Sequence, residues 1–409
     1  MMRGVANWGM IGWDSYVRPD GPVPCKYAMV GEAPVNEEIR VGRGFVGPSG
    51  KLIWPLMRRL ANLSREEVYV SNLCKLPLDI DLPSDEKMDE EDFRICAAAL
   101  QAELRQVKPE VVLAVGVLAA RGLLGDDFTK MEVCNGVGFK HSDGYVVVPT
   151  WHPAAALRGG GEDALAYTGA AVASLRQPKM PRPLVIPAAD YRVEVGSEKL
   201  IGIDTEGTTR DPICLTWATG GSRSYVKPKD VPQFWMSLRA SGATAIYHNA
   251  PWDWAVIEKM GVTEPWLVPY RDTMELAYLR QVEPRGLKGL AYRHYRLRMK
   301  TWEEVTLPYY FQAVQLDAKA IVDAGITSTP RYGKKGQLLK KPAITITDEA
   351  KTLKRALENP KLLATRMGWW DGEMGGSNPP TLRFVPQEEV VEYATLDPYM
   401  TLKVLEVLG

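Results

Sequence analysis

The chain has 409 residues, 45% of them apolar and 24% charged, the balance of a globular protein rather than of a disordered or collagenous one. Lysine and arginine total 50 and so do aspartate and glutamate, so net charge leaves no footprint of nucleic acid and any such binding must come from local patches. The length exceeds one ordinary core and predicts about two or three domains.

No window approaches the roughly 18 uninterrupted apolar residues of a membrane span. The N-terminal "MMRGVANWGMIGWDSYVRPDG" lacks the charged, apolar and small-residue order of a signal peptide. A cytoplasmic protein with no membrane partner is expected. Five cysteines, Cys25, Cys74, Cys96, Cys134 and Cys214, contain no CxxC and suit a reducing compartment.

The first part alternates Val-rich runs, "YAMVGEA", "EVYVSNL", "EVVLAVG" and "GYVVVPTW", with the helical patterns "SGKLIWPLMRRLANL" and "DEEDFRICAAALQAELRQV". Strands alternating with helices predict a mostly parallel α/β sheet, whose ligands sit beyond the carboxyl ends of the strands. Those ends here are "GEAPVNEE", "SNLCKLP", "VGVLAARG" and "TWHPAAA". A Pro-rich stretch with no sustained period follows, and residues 177–195 read as an extended linker between a domain at 1–176 and another at 196–409.

The second part opens with "KLIGIDTEG", "PICLTWATG" and "SRSYVKP", three strand-like runs separated by turns, as in a meander. "ATAIYHNA" reads as a strand, "PWDWAVIEKMG" as a helix with Pro251 in its first turn and Gly261 at its stop, and "RDTMELAYLRQ" as another helix. The last helix, "QEEVVEYATLDPYMTLKVLEVL", is expected to run to the end of the chain with a bend at Pro398. The basic "PRYGKKGQLLKKP" reads as a solvated loop.

Asp204 and Glu206 alternate on one strand and point the same way. Two like charges held together need a counter-ion, and a divalent cation supplies it. Asp253 lies just inside a helix, and Asp397 follows Tyr393 by four residues, which on a continuous helix puts phenol and carboxylate on one face. Together these are the parts of a two-metal phosphodiester hydrolysis site.

In order and spacing, "DTEG", "HNAPWD" and Tyr393 with Asp397 resemble the DEDD 3′–5′ exonucleases of the Tyr-containing class, which include proofreading domains of family A DNA polymerases and the RNase D group. "RDTMELAYL" and "PRGLKGLAYR" extend the resemblance, which covers Leu200 to Leu408. It implies an RNase H-like fold in which Asp204, Glu206, Asp253 and Asp397 hold two Mg²⁺ or Mn²⁺ ions. Tyr393 would orient the attacking water, and Asn249 would contact substrate.

The N-terminal "VGEAPVNEEIRVGRGFVGPSGKLI", "VYVSNLCKLP" and "VVVPTWHPAAAL" resemble family 4 of the uracil-DNA glycosylase superfamily over about Lys26 to Arg158. The resemblance implies that Glu32 stabilises the cationic sugar or positions water, and that Phe45 stacks on the extruded base. Asn72 would read the uracil edge, and His152 would stabilise the departing pyrimidine anion. Two departures stand out. The usual Gly after "GEAP" is Val35, and the cysteine spacing lacks the early pair of that family, so an iron–sulfur cluster is expected to be absent.

The resulting expectation is a DNA-maintenance enzyme in which a uracil-glycosylase-like α/β domain precedes a metal-dependent 3′–5′ DNA exonuclease. Its partners would be single-stranded or frayed 3′ ends of DNA, uracil-containing DNA included. The chain stops shortly after the third exonuclease motif, so proofreading in trans for a separately encoded polymerase, as in a phage or bacterial replication system, is a further expectation. Two alternatives stay open: a non-catalytic, base-sensing N-terminal module beside the exonuclease, and RNase D-like trimming of RNA 3′ ends.

Overall fold

The computed structural model describes residues 15–79, 82, 86–156, 161–280, 284–329, 343–367 and 381–409. The basic segment 330–342 lies outside the described residues. The chain divides into two compact units, Met1–Leu184 with Tyr292–Leu297, and Val185–Ala291 with Arg298–Gly409. Both are α/β, as expected.

In the first unit the strands are β1 (Tyr27–Gly31), β2 (Val68–Asn72), β3 (Val111–Val115), β4 (Phe139–Lys140) and β5 (Val146–Thr150). Its helices are α1 (Asn36–Val41), α2 (Pro48–Ala61), α3 (Glu90–Val107), α4 (Val117–Leu124), α5 (Met131–Cys134) and α6 (Gly161–Ala173). The sheet order is β2-β1-β3-β5-β4, parallel except for β4. Every residue of β1, β2 and β3 is buried, because alternate side chains feed cores on both faces. Ala28, Val30, Val112 and Ala114 join Leu100, Leu104 and Leu118 on one side. Met29, Val70, Leu113 and Val148 join Ile53, Met57 and Val172 on the other. Strand order reverses between β1 and β3, which opens a crevice beyond their carboxyl ends.

Residues 292–297, expected in the second domain, pack into the first unit. Tyr292 Oη donates to the Asp127 carbonyl, 2.6 Å away, and Arg293 Nη1 donates to the carbonyls of Val133 and Asn135.

The second unit holds β6 (Ala189–Tyr191), β7 (Leu200–Gly207), β8 (Pro212–Ala218), β9 (Arg223–Val226), β10 (Thr244–Tyr247) and β11 (Tyr270–Asp272) in the order β11-β10-β7-β8-β9-β6. The meander read from the sequence is β7-β8-β9, antiparallel throughout; β10 and β11 extend the sheet in parallel beyond β7. Part of the stretch expected as linker is β6, which pairs in parallel with β9. Helices α7 (Val231–Ser241) and α8 (Ala250–Lys259) cover Ile201, Ile203, Leu215 and Trp217 with Phe234, Leu238, Val256 and Ile257. Helix α9 (Thr273–Leu279) follows β11, and α10 is Leu287–Tyr295. A second cluster forms on α11 (Trp302–Ala324), α12 (Asp348–Lys354) and α13 (Pro360–Arg366), around Tyr310, Val314, Leu353 and Leu363. A two-stranded ribbon of β12 (Ile326–Thr329) and β13 (Ala343–Ile346) lies between α11 and α12 in sequence.

The expected last helix is two helices, α14 (Gln387–Ala394) and α15 (Leu396–Leu408). The break falls at Thr395, and Pro398 lies in the first turn of α15, where a missing N–H costs no intrahelical bond. Tyr393 and Asp397 therefore belong to different helices. Helix α15 lies so close to β7 that a Cβ on Gly202 would stand 2.0 Å from the Pro398 carbonyl oxygen, so only glycine permits the approach. Arg223, 2% exposed, holds the break itself. Its guanidinium pairs with both oxygens of Glu392 at 2.9 Å and reaches the Glu392 carbonyl, Thr395 Oγ1 and the Pro187 carbonyl.

Candidate active sites

In the first unit, Glu32 follows β1 and Asn72 ends β2, directly beside Gly31 in the strand register. A Cβ at Gly31 would meet Asn72 Oδ1 at 2.3 Å and the Phe45 ring at 2.8 Å, so the absent side chain lets ring and amide converge at the carboxyl edge. Phe45 is buried with φ 53°, an uncommon conformation for an aromatic residue. It is fastened by Trp54 Nε1–H and Arg65 Nη1–H, which donate to its carbonyl at 3.0 and 3.4 Å.

The Glu32 carboxylate is gripped from two sides. Oε1 accepts from the backbone N–H of Leu118 at 3.2 Å, and Oε2 pairs with Lys87 Nζ at 3.1 Å. Leu118 lies in the first turn of α4, where an N–H has no helical partner and the helix end attracts negative charge. His152 follows β5, two strands from β1, a backbone separation of about 10 Å. Its Nδ1 accepts from the Ala154 N–H at 3.2 Å, so a neutral ring carries its proton on Nε2. Glu32 and His152 thus flank the carboxyl edge with Phe45 and Asn72 beside them.

Lys87 and Glu38 were not singled out in the sequence. Buried Glu38 accepts from the Val35 N–H at 3.0 Å and is also bonded by the backbone of Phe45 and Val46, tying the "GEAP" turn to the Phe45 loop. Burial pushes its carboxyl up. Its only sequence signal was its place three residues after Val35.

Cys25 Sγ donates to the carbonyls of Tyr27 and Glu67, Cys134 lies by Thr129, and Cys74 hydrogen-bonds Cys96.

In the second unit, Asp204 and Glu206 stand on β7, Asp253 in the first turn of α8, and Asp397 in the first turn of α15. Burial pushes the Asp204 and Glu206 carboxyls well up, and the neighbouring acids push them further. Asp253 is pushed up to about 8, chiefly by burial, and Asp397 to about 6 for the same reason. The four acids are therefore near enough to repel one another. Thr205, between the two strand acids, donates to Asp253 Oδ1 from its N–H at 3.0 Å and its hydroxyl at 2.7 Å.

Asp397 Oδ1 is buried with no hydrogen-bond partner. An orphaned carboxylate oxygen among mutually repelling acids suits hard divalent cations. Among the described residues, no three His, Cys, Asp or Glu side chains are placed so that together they could hold a metal ion.

Tyr393 sits half-buried among Ile213, Trp302 and Val390, and its phenol is pushed up by burial and by Glu206, Asp397 and Asp204. Asn249, exposed with φ 86°, caps α8. Its N–H and that of Ala250 donate to Asp272, which also caps α9 through the Met274 N–H at 2.8 Å. His248 Nδ1 and Thr273 Oγ1 are 2.8 Å apart, joining the same two helix starts. Thr205 and Arg223 escaped the sequence reading because their partners lie far along the chain, whereas Asp272 carried a local signal as the residue before a helix.

Residues 19–176 match the family model of the uracil DNA glycosylase superfamily. The chain is 31% identical over 144 residues to a type-4 uracil-DNA glycosylase of Saccharolobus solfataricus, covering 34% of this chain and 65% of that one. Identity to the type-4 uracil-DNA glycosylase of Thermotoga maritima is 30% over 139 residues, 34% of this chain and 70% of the relative. For that of Sulfurisphaera tokodaii it is 27% over 144 residues, 34% of this chain and 64% of the relative. The chain spans just under two thirds of the Saccharolobus and Sulfurisphaera proteins. No described helix is long and apolar enough to cross a membrane. Through residues 19–176, with a glycine-cleared strand edge carrying Glu32, Phe45 and Asn72, the chain belongs to the uracil-DNA glycosylase superfamily.

Proposed function

We propose that the first unit excises uracil from DNA and that the second hydrolyses DNA from its 3′ end. The observation that carries the first half is the convergence of Asn72 and Phe45 at Gly31, beside a fixed Glu32, in a chain of this superfamily. Breaking the C1′–N1 bond leaves its electron pair on uracil N1 and positive charge on the sugar. The Glu32 carboxylate stabilises that cation, while His152 Nε2–H donates to the departing pyrimidine anion. Water then adds at C1′ and leaves an abasic site. Asn72 offers both a donor and an acceptor to the uracil edge, and Phe45 supplies the stacking face.

The second half is supported by four buried acids whose charges act on one another and by an orphaned oxygen on Asp397. In this reading the unit is an RNase H-like exonuclease, and Asp204, Glu206, Asp253 and Asp397 hold two Mg²⁺ or Mn²⁺ ions. When bound, such ions supply Lewis acidity at the scissile phosphodiester. Tyr393 Oη orients the attacking water, and Thr205 holds Asp253 in place. The cysteine arrangement supports a chain that works without an iron–sulfur cluster, and a separately encoded polymerase is the proposed source of mismatched 3′ ends.

The deciding experiment is incubation of end-labelled single-stranded DNA, with and without uracil, in Mg²⁺ or EDTA. Alkali-labile sites at uracil in both conditions, and shortening from the 3′ end in Mg²⁺ alone, are the expected results. Absence of abasic sites sinks the first half; shortening in EDTA sinks the second. A matched RNA 3′ end is expected to be degraded more slowly.

A further inference from the structure

Lys75 follows Asn72, the last residue of β2, by three positions, and its side chain is 14% exposed. Its Nζ donates to the Asn72 carbonyl at 2.6 Å and to Ser71 Oγ at 2.8 Å, and it pairs with Glu103 Oε2 of α3 at 2.9 Å. Strand β2 is the first strand of its sheet, and on its outer side Val70 exchanges backbone bonds with Asp20 at 2.7 and 2.9 Å. Backbone groups of alternate residues face the same side of a strand. The Asn72 carbonyl, two residues on, therefore faces outward past the end of that pairing, and a charged donor stands where a neighbouring N–H would. Apart from Lys75, this carbonyl meets Ser71 Oγ at 3.5 Å. Leu73 and Cys74 donate their N–H groups to the carbonyls of Gly31 and Glu32 at 2.8 and 2.9 Å, so the turn that Lys75 closes is stitched to the end of β1. Among the described residues nothing hydrogen-bonds the Asn72 side-chain amide. Its aim is set by its own main chain and by its packing at Gly31.

We infer that Lys75 is a positioning residue for base recognition: its ammonium clamps the Asn72 main chain and so sets where the Asn72 amide meets the uracil edge. The inference rests on the reading of the first unit as a uracil-excising domain. Three acceptors, the Asn72 carbonyl, Ser71 Oγ and the Glu103 carboxylate, match the three N–H bonds of an ammonium and hold its flexible stem in one place. Glu103 balances the charge, so the clamp adds no net charge beside the base. Positional errors of about 1 Å in such a group are worth about a hundredfold in rate, which gives a main-chain clamp a direct bearing on excision.

Single-turnover release from uracil-containing single-stranded DNA by the full chain tests this in wild type, Lys75→Met, Lys75→Arg, Asn72→Ala and the double variant Lys75→Met with Asn72→Ala. Lys75→Met is expected to release uracil about tenfold more slowly at saturating enzyme. Its affinity for the same strand carrying an abasic site in place of uracil should be unchanged, because no base is there for the amide to read. Lys75→Arg keeps a charged donor and should recover part of the rate. The double variant should be no slower than Asn72→Ala, since a residue acting through Asn72 then has nothing left to position. If Lys75→Met matches wild type, slows Asn72→Ala by as much again, or loses abasic-strand affinity in proportion to rate, the role of Lys75 is overturned while uracil excision stands. If wild type releases no uracil, the reading of the first unit falls and this role with it. Thermal melting of each variant establishes that it is folded. Should Lys75→Met fail to fold, Glu103→Gln, which loosens the same ammonium, takes its place in the cycle.

Discussion

Lys87 Nζ stands 3.1 Å from Glu32 Oε2, with 10% and 13% of the two side chains exposed. A pair this well covered is costly to break, because the remaining charge keeps its desolvation penalty; loss of one partner costs about 3 kcal/mol. Lys87→Met is therefore expected to lower both the melting temperature and uracil release, the latter by roughly tenfold or more, with release restored in part by Lys87→Arg. Single-turnover release from uracil-containing single-stranded DNA measures it. Undiminished release in Lys87→Met would show that Leu118 N–H alone orients the carboxylate.

Gly31→Ala tests the convergence of Phe45 and Asn72. A methyl group there meets Asn72 Oδ1 at 2.3 Å and the Phe45 ring at 2.8 Å, and overpacking of this kind costs about 1–3 kcal/mol. Uracil release should fall by roughly a hundredfold, whereas 3′-end shortening should be unchanged. Equal loss of both activities would instead indicate global unfolding.

Asp204→Ala should lower 3′-end shortening by orders of magnitude and leave uracil release intact. The measurement is a paired assay on one end-labelled strand. Retained shortening would remove Asp204 from the site.

The same acids make the metal-free second unit sensitive to pH. Folded carboxyls with raised pKa bind more protons than unfolded ones from about pH 4 upward. The stability they contribute is full below that value and is lost as pH rises through about 6 for Asp397 and about 8 for Asp253. In EDTA, the melting temperature of this unit should fall between pH 5 and pH 8, and Mg²⁺ should reverse the fall. Asp253→Asn should flatten the profile in EDTA. A profile unaffected by Mg²⁺ would count against cation binding by the cluster.

How much of this was legible in the sequence follows from the range of the interactions. The Val-rich runs of β1, β2 and β3 announced a buried parallel sheet because both faces are covered. The acids Asp204, Glu206, Asp253 and Asp397 were legible as residue types at sensible places. Their supports were not. Lys87 meets Glu32 across 55 residues, a separation that no local period reports. Arg223 stood in the strand-like "SRSYVKP" with nothing to mark its guanidinium as buried, and it is 2% exposed. The break at Thr395 was hidden because the apolar spacing of α14 continues into α15, and the donor that holds the break, Arg223, lies far back along the chain. Close approach of backbones at Gly202 leaves no sequence signal beyond the glycine itself.

Arg223 also decides where the second unit can be cut. Its Nε donates to the Pro187 carbonyl at 2.7 Å, and β6, which lies alongside β9, is made from Ala189–Tyr191. A fragment beginning at residue 196, where composition alone would start it, strips an edge strand from the sheet and leaves a buried guanidinium N–H without an acceptor. The damage would not stay at the cut. The same guanidinium grips Glu392 and Thr395, so slack in the Pro-rich stretch reaches the angle between Tyr393 and Asp397. A stretch that reads as a tether is, mechanically, a guy-line for the last two helices, and a second-unit fragment that keeps this acceptor begins no later than Pro187.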